Sequence, residues 1–191
     1  MSIGAILLLA AVAVGALAFL VIASWFARIA KLTAMHRFYL VASGFGVLGV
    51  AQVLSALSYL SGSERDAYTF YVGSSSFSMA GYLILLTASG RESRDSAVYA
   101  VSPALLLASS VDVVSGLSAV LLAYNSKSIA RACFSALGVS HLLKALPLIG
   151  GGLNLVFLPP LLVLLGEAVR AASASVLAAY YIKGALGYEE K

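Results

Sequence analysis

Four ionisable residues lie inside long apolar stretches, where charged side chains are costly and usually serve a function. Asp112 lies in the segment SSVDVVSG, and His141 lies in the segment GVSHLLKA. Glu167 and Arg170 are three residues apart, so on a helix they share one face and can pair. Asp112 beside His141 could bind an ion or relay a proton. Gln52, in an apolar stretch of the first half, would face them. We therefore predict a polar substrate- or ion-binding site formed by these five residues.

Each of these residues also has a structural interpretation. Asp112 could be satisfied by neighbouring serines or by a partner subunit, and Glu167 with Arg170 could form a self-neutralising structural pair. Lys144 shares a face with His141 but lies near the end of its apolar segment. We therefore expect its ammonium group to extend towards the membrane surface.

The composition places these residues in a membrane. Of 191 residues, 61% are hydrophobic and 10% are charged, whereas a typical globular chain has about 25% charged residues. Such a chain leaves no room for a large catalytic domain outside the membrane. Its single cysteine, Cys133, excludes a disulfide framework. Because His36 lies at a segment end and His141 lies deep in another, two axial haem ligands are disfavoured, and we predict no metal and no cofactor.

Six apolar segments predict an all-α integral membrane protein with six transmembrane helices in a single domain, residues 1–191. Each segment approaches or exceeds the 20 or so residues that a span needs. The predicted spans are residues 3–27, 37–60, 68–90, 97–123, 128–147 and 153–183. We expect a multi-pass protein of the cell membrane with both termini on one side. Basic residues divide evenly between the two sides in this arrangement, so the positive-inside rule orients it only weakly.

The chain contains an internal repeat. Residues 45–62 read FGVLGVAQVLSALSYLSG and residues 134–151 read FSALGVSHLLKALPLIGG, with identity at eight of 18 positions. Because three is odd, a three-span unit duplicated in tandem would insert its second copy upside down. We therefore predict two inverted three-helix repeats, residues 1–90 and 97–183, as in many transporters. The alternative is convergent use of Gly, Ala and Leu in membrane helices.

Two motif matches are better explained by helix packing. Residues 44–49 match G-x-G-x-x-G, but no predicted strand precedes them, as nucleotide binding requires. Ser74, Ser75 and Ser76, with His141, loosely resemble the serine–histidine dyad of the rhomboid intramembrane proteases, which also have six spans. The chain lacks the glycine after the serine and the glycine spacing after the histidine, so we predict no enzyme.

Two classes of function fit these observations. The first is a small transporter or channel for an ion or small solute, with its polar site at the interface of the repeats. The alternative is a non-catalytic integral subunit of a larger respiratory, secretion or sensory complex, whose polar residues would contact partner helices. The expected partners are the lipid bilayer and either further copies of this chain or other membrane subunits, with no nucleic acid.

Overall fold

The computed structural model describes residues 3–89, 111–149 and 158–189, and within these ranges the protein is helical. The described helices are α1 (Ile3–Thr33), α2 (His36–Leu60), α3 (Glu64–Ser89), α4 (Val111–Asn125), α5 (Ser128–Ile149) and α6 (Leu158–Glu189). Four of them are long and apolar enough to cross a membrane, namely α1, α2, α3 and the Leu161–Gly184 part of α6. The all-helical prediction is confirmed, and it is consistent with a helical membrane protein. The first parts of predicted spans four and six, residues 97–110 and 153–157, lie outside the described residues.

Local sequence explains where several helices begin and end. Ala34 follows α1 with a φ of 54°, and its N–H donates to the Ala30 carbonyl at 2.9 Å. A left-handed residue with such a bond is a common helix ending. Helix α6 begins at Leu158, so Pro159 and Pro160 lie in its first turn. A proline is tolerated there because the first backbone nitrogens need no intrahelical partner.

The six described helices form a closed ring in chain order. Each helix packs against the one before it and the one after it, and α6 packs against α1. For description, we call helices α1 to α3 the first unit and helices α4 to α6 the second unit. They meet along two seams, α3 with α4 and α6 with α1.

The order of contacts along the helices fixes their directions. Phe45 of α2 stacks on Phe134 of α5 with ring centroids 6.4 Å apart. Ten residues further along both helices, Lys144 Nζ lies 3.4 Å from Ser55 Oγ. Helices α2 and α5 are therefore parallel. Each follows the helix before it after a two-residue turn and packs against it, so α1 and α4 run in the opposite direction to α2 and α5.

Two further pairs of contacts show that α3 and α6 share the direction of α1 and α4. Helix α3 packs antiparallel to α2. Ser74, near the middle of α3, donates to the Ala51 carbonyl of α2. Ser58, later in α2, donates to the carbonyl of Ala67, which is earlier in α3. Helix α6 is also antiparallel to α2, because Glu167 bonds Ser55 whereas Tyr181 packs on Phe45.

The predicted inversion of the second unit is therefore wrong, because inverted units would make α2 and α5 antiparallel. The physical reason lies between the units. The end of α3 and the start of α4 lie at different levels of the bundle, since α3 and α4 are parallel. The Phe45–Phe134 stack and the Lys144–Ser55 hydrogen bond, ten residues apart on both helices, form together only when α2 and α5 run in the same direction. The prediction that both termini share a side is also wrong, because α1 and α6 run in the same direction.

An aromatic cluster fills one end of the bundle, which we call the aromatic end. Phe45 stacks on Phe19 at 6.2 Å and on Phe26 at 6.3 Å, and the Tyr181 ring lies edge-on at 6.0 Å. Phe134 completes the cluster from the second unit. The turns between α1 and α2 and between α4 and α5 lie at this end. The turn between α2 and α3 lies at the other, which we call the α2–α3 end.

Close helix packing explains the glycines of the G-x-G-x-x-G match. A Cβ on Gly44 would lie 2.7 Å from Leu85 Cγ and 3.1 Å from the Gly81 carbonyl oxygen, both on α3. A Cβ on Gly49 would lie 2.8 Å from a methyl carbon of Leu20 on α1. These glycines let α2 approach both of its neighbours.

Candidate functional site

The inward faces of α2 and α5 carry equivalent residues in successive layers. The spacing of three, four and three residues places them on one helix face. From the aromatic end, the layers are Phe45 with Phe134, Leu48 with Leu137, Gln52 with His141, and Ser55 with Lys144, all of them buried. The first two layers are apolar and the last two are polar. The polar site therefore lies on the α2–α3 side of the aromatic and leucine layers.

A buried carboxylate–imidazole pair joins the second unit to α3. His141 Nδ1 lies 2.8 Å from Asp112 Oδ1, and both side chains are buried. Because a carboxylate only accepts hydrogen bonds, Nδ1 carries the proton of this contact. The Tyr71 hydroxyl of α3 donates to the other oxygen of Asp112. Both Asp112 oxygens thus have donors within the chain.

Arg170 of α6 lies against the imidazole ring. Its Nη2 atom is 3.2 Å from Nδ1 and 3.4 Å from Nε2 of His141. A guanidinium only donates, and the Nδ1 proton already points to Asp112, so the Nδ1 contact is a packing contact. On its other side, Gln52 accepts from Arg170 Nε at 3.3 Å and from Nη1 at 2.9 Å when its amide oxygen faces the guanidinium.

Glu167 is the centre of a second group of contacts. Its Oε1 atom accepts from Lys144 Nζ at 2.8 Å, from the Tyr59 hydroxyl at 3.1 Å and from Ser55 Oγ at 3.3 Å. Its Oε2 atom lies 3.5 Å from Arg170 Nη1. The predicted pairing of Glu167 with Arg170 is confirmed.

The expectation that Lys144 reaches the membrane surface is wrong. Lys144 is only 4% exposed, and its ammonium group binds Glu167 and Ser55 inside the bundle. The reason is tertiary. Helix α5 is surrounded at this level by α2 and α6, and the Glu167 carboxylate compensates the buried charge.

The contacts above form one polar network, which we call the central cluster. Its members are Gln52, Ser55, Tyr59, Tyr71, Asp112, His141, Lys144, Glu167 and Arg170. With a neutral imidazole, its two carboxylates balance one ammonium and one guanidinium. A buried charge is tolerated only when it is paired and hydrogen-bonded, and this balance meets that condition.

The two ends of the central cluster differ in their access to the outside. Tyr59 and Tyr71 are partly exposed, and their hydroxyls bond the two buried carboxylates. They lead from the cluster towards the α2–α3 end. Towards the aromatic end, the buried leucine layer and the Phe45–Phe134 stack lie above the cluster.

The structure brings all five predicted site residues together. Asp112, His141, Glu167, Arg170 and Gln52 lie within one network, although their function stays a prediction. Four members of the cluster were not among the predicted site residues: Ser55, Tyr59, Tyr71 and Lys144. The spacing from Gln52 to Ser55 and Tyr59, three and seven residues, is a helical-face signal that identifies Tyr59. Tyr71 offers no comparable signal, because a tyrosine near the start of an apolar segment is typical of a membrane interface.

Two other chemistries gain nothing from the geometry. In the part of the chain that the structure describes, no three His, Cys, Asp or Glu residues are grouped so that they could hold a metal ion. The second chemistry is a serine–histidine dyad. The Ser74 hydroxyl donates to the Ala51 carbonyl at 2.8 Å, and the His141 ring is bound to the Asp112 carboxylate.

Comparison of the chain with protein-family models, with curated proteins and with solved structures finds no match.

Proposed function

We propose that the protein is a small multi-pass membrane transporter that moves an ion or small solute through the central cluster. The observation that carries this proposal is the charge-balanced network between the two three-helix units. Both units contribute residues to this network. The first unit provides Gln52, Ser55, Tyr59 and Tyr71, and the second unit provides Asp112, His141, Lys144, Glu167 and Arg170. Ionisable residues inside a membrane are costly and mark ion or substrate pathways.

We interpret the two units as parallel repeats related by an axis along the bundle. Equivalent residues meet at two levels, Phe45 with Phe134 and Ser55 with Lys144. Gly49 and Gly138 are also equivalent, and each receives a side chain of the helix before it, Leu20 and Val120 respectively. Some transporters are built from parallel repeats about an axis along the membrane normal, with their sites at the repeat interface.

In the parallel arrangement the exposed basic residues are distributed unequally between the two ends of the bundle, so the positive-inside rule can orient the protein in the membrane. At the aromatic end the described exposed basic residues are Arg28, Lys31, Arg37, Lys127, Arg131 and Lys183. At the α2–α3 end there is Arg65, between Glu64 and Asp66. Since basic residues accumulate on the cytoplasmic side, we place the aromatic end in the cytoplasm. The described conformation then closes the central cluster towards the cytoplasm and connects it towards the outside through Tyr59 and Tyr71.

The alternative function, a subunit of a larger membrane complex, predicts that the buried polar residues contact partner helices. In the described contacts, Asp112, Glu167 and Arg170 find their partners within the chain. A partner is therefore not needed to compensate these charges.

Reconstitution into liposomes tests the proposal. Gradients of Na⁺, K⁺, Cl⁻ and H⁺ are imposed one at a time, and flux is followed with ion-selective dyes. We expect the wild-type protein to transport at least one of these ions and Asp112→Asn to transport it at least tenfold more slowly. The matched control is Asp66→Asn, which alters an exposed carboxylate of α3 and should transport at the wild-type rate.

Native mass spectrometry of the protein purified gently from its membranes tests the alternative function, because it shows whether other chains co-purify with the protein. Absence of flux for all four ions, together with stoichiometric co-purification of other chains, would contradict the transporter proposal and support the subunit function. Recovery alone or as a homo-oligomer agrees with transport.

A further inference from the structure

Tyr82 of α3 has a buried hydroxyl that the central cluster does not use. The residue is 0% exposed, and its hydroxyl has no hydrogen-bond partner among the described residues. Its ring lies edge-on to the His141 ring, with centroids 5.5 Å apart. An unsatisfied buried hydroxyl costs about 1–3 kcal/mol, so a tyrosine in place of phenylalanine at this position calls for a reason.

Tyr71 and Tyr82 occupy the same face of α3 on opposite sides of His141. They are 11 residues apart, which is three helical turns and about 16 Å along the axis. Tyr71 lies towards the α2–α3 end and bonds Asp112. Tyr82 lies towards the aromatic end, next to Gly81, whose added Cβ would meet Leu48 of the leucine layer. The imidazole of His141 is thus placed between two tyrosine side chains of one helix.

We propose that the transported ion is the proton, that His141 carries it, and that Tyr82 is the hydrogen-bond partner of His141 on the cytoplasmic side. This inference rests on the proposed transport function and names its substrate. In the described conformation the ring is bound to Asp112, beside Tyr71. In the alternative conformation it bonds the Tyr82 hydroxyl, whose present lack of a partner is then explained.

The step involves one covalent bond. A proton binds the lone pair of Nε2 and converts neutral imidazole to imidazolium, while Nδ1–H stays bonded to ionised Asp112. In the alternative conformation Nε2–H donates to the Tyr82 hydroxyl, and release breaks this Nε2–H bond: the electron pair stays on Nε2 and the proton passes to water on the cytoplasmic side. No oxidant or co-substrate is needed, and Asp112 is the counter-charge throughout.

Charged and titratable groups surround His141 on all the helices packed against it. They are Tyr71 and Tyr82 of α3, Asp112 of α4, Glu167 and Arg170 of α6, and Lys144 of its own helix α5. The cluster is formally neutral when the ring is neutral and carries one positive charge when the ring is loaded. The Asp112 carboxylate attracts the added proton, whereas the Arg170 guanidinium against the ring repels it. These opposed contributions allow both loading and release.

The repeat provides a natural comparison for His141. Gln52 occupies the equivalent position of the first unit and also contacts Arg170. A glutamine is therefore compatible with this layer, yet it cannot carry a proton at neutral pH. The substitution His141→Gln separates proton carriage from packing.

The experiment measures proton flux into liposomes that contain a trapped pH-sensitive dye, with a K⁺ gradient and valinomycin as the driving force. We expect proton uptake by the wild type, loss of uptake in His141→Gln and at least a tenfold slower rate in Tyr82→Phe. Tyr68→Phe is the matched control, because Tyr68 lies on the same helix and is 68% exposed, and it should behave as wild type. The melting temperature of Tyr82→Phe should equal or exceed that of the wild type, since the lost hydroxyl has no partner.

The outcomes separate this inference from the function on which it rests. Transport of Na⁺, K⁺ or Cl⁻ that Asp112→Asn abolishes, without proton uptake, would overturn the inference and leave the transporter proposal standing. Proton uptake that is unchanged in a folded Tyr82→Phe would overturn the role of Tyr82. Absence of any flux would reject both proposals. ¹⁵N spectra of His141 give a readout independent of flux, and they should report protonation of Nε2 on acidification of the outside.

Discussion

At the residue scale, the interior is organised by charges that compensate one another. Glu167 illustrates this, because its two carboxylate oxygens contact four side chains. These are Ser55 and Tyr59 of α2, Lys144 of α5, and Arg170 of its own helix α6. Removing one member of a buried ion pair is far more damaging than exchanging the whole pair for apolar groups, since the remaining charge is left without compensation.

Substitution of Glu167 by alanine should therefore strongly destabilise the protein. We expect a loss of about 3–5 kcal/mol in the free energy of unfolding, because Lys144 and Arg170 stay buried without their carboxylate. Denaturant titration in detergent micelles measures it. Glu64→Ala, at an exposed carboxylate, is the control and should change stability little.

A double substitution tests the cause of that loss. Combining Glu167→Met with Lys144→Met removes both charges, so it should recover a large part of the stability lost in Glu167→Ala. If the double variant is no more stable than Glu167→Ala, uncompensated charge is not the reason for the loss.

At the element scale, glycines set how closely neighbouring helices approach. The equivalent glycines Gly49 and Gly138 differ in what surrounds them. A Cβ on Gly49 would lie 2.8 Å from Leu20 Cδ2 and 2.9 Å from Leu20 Cγ, both atoms of a flexible side chain. A Cβ on Gly138 would lie 2.7 Å from Val120 Cγ2 and 3.0 Å from the Gly116 carbonyl oxygen.

Gly138→Ala should accordingly destabilise the protein more than Gly49→Ala. A leucine can change rotamer, whereas a β-branched valine and a backbone carbonyl cannot move without shifting α4 from α5. Thermal unfolding in detergent compares the two variants. Gly184→Ala is the control, because nothing lies within 4 Å of an added Cβ there and alanine favours a helix by up to about 1 kcal/mol. Equal losses at Gly49 and Gly138 would contradict the packing described for α4 and α5.

At the scale of the whole molecule, the parallel arrangement determines which turns share a side. The turn between α1 and α2 and the turn between α4 and α5 lie at the aromatic end. The turn between α2 and α3 lies at the other. Inverted units would place the first two turns on opposite sides, so a labelling experiment distinguishes the two arrangements.

Single cysteines introduced at Met35, Ser63 and Lys127 should label according to this arrangement. Cys133 is buried and is first replaced by alanine, giving a background without cysteine. In intact cells, a membrane-impermeant maleimide should label Ser63→Cys, whereas Met35→Cys and Lys127→Cys should react only after the membrane is opened. Labelling of Met35→Cys and Lys127→Cys from opposite sides would restore the inverted arrangement. Labelling of both from outside would keep the parallel arrangement and reverse the orientation.

Several features followed from the amino-acid sequence alone because they depend on local properties. Apolar segments of about 20 residues predict membrane helices, since the bilayer leaves backbone groups no other partners. The three-residue spacing predicted the pairing of Glu167 with Arg170, and the positions of Asp112 and His141 within apolar segments indicated that these two residues could lie side by side, as they do. The sequence similarity of α2 and α5 also predicts a duplicated unit, and the duplication stays a prediction.

Other features depended on the tertiary structure. The relative direction of the two units is not encoded in the similarity of their sequences, because it depends on long-range contacts such as Phe45 with Phe134 and Ser55 with Lys144. That direction determines at which end of the bundle each basic residue lies. It also places Gln52 and His141 on opposite sides of the Arg170 guanidinium. Lys144 was misjudged for the same reason, since burial near the end of a segment depends on the neighbouring helices. Local sequence determines which elements form, whereas the long-range packing of α2, α5 and α6 determines which of their charges meet.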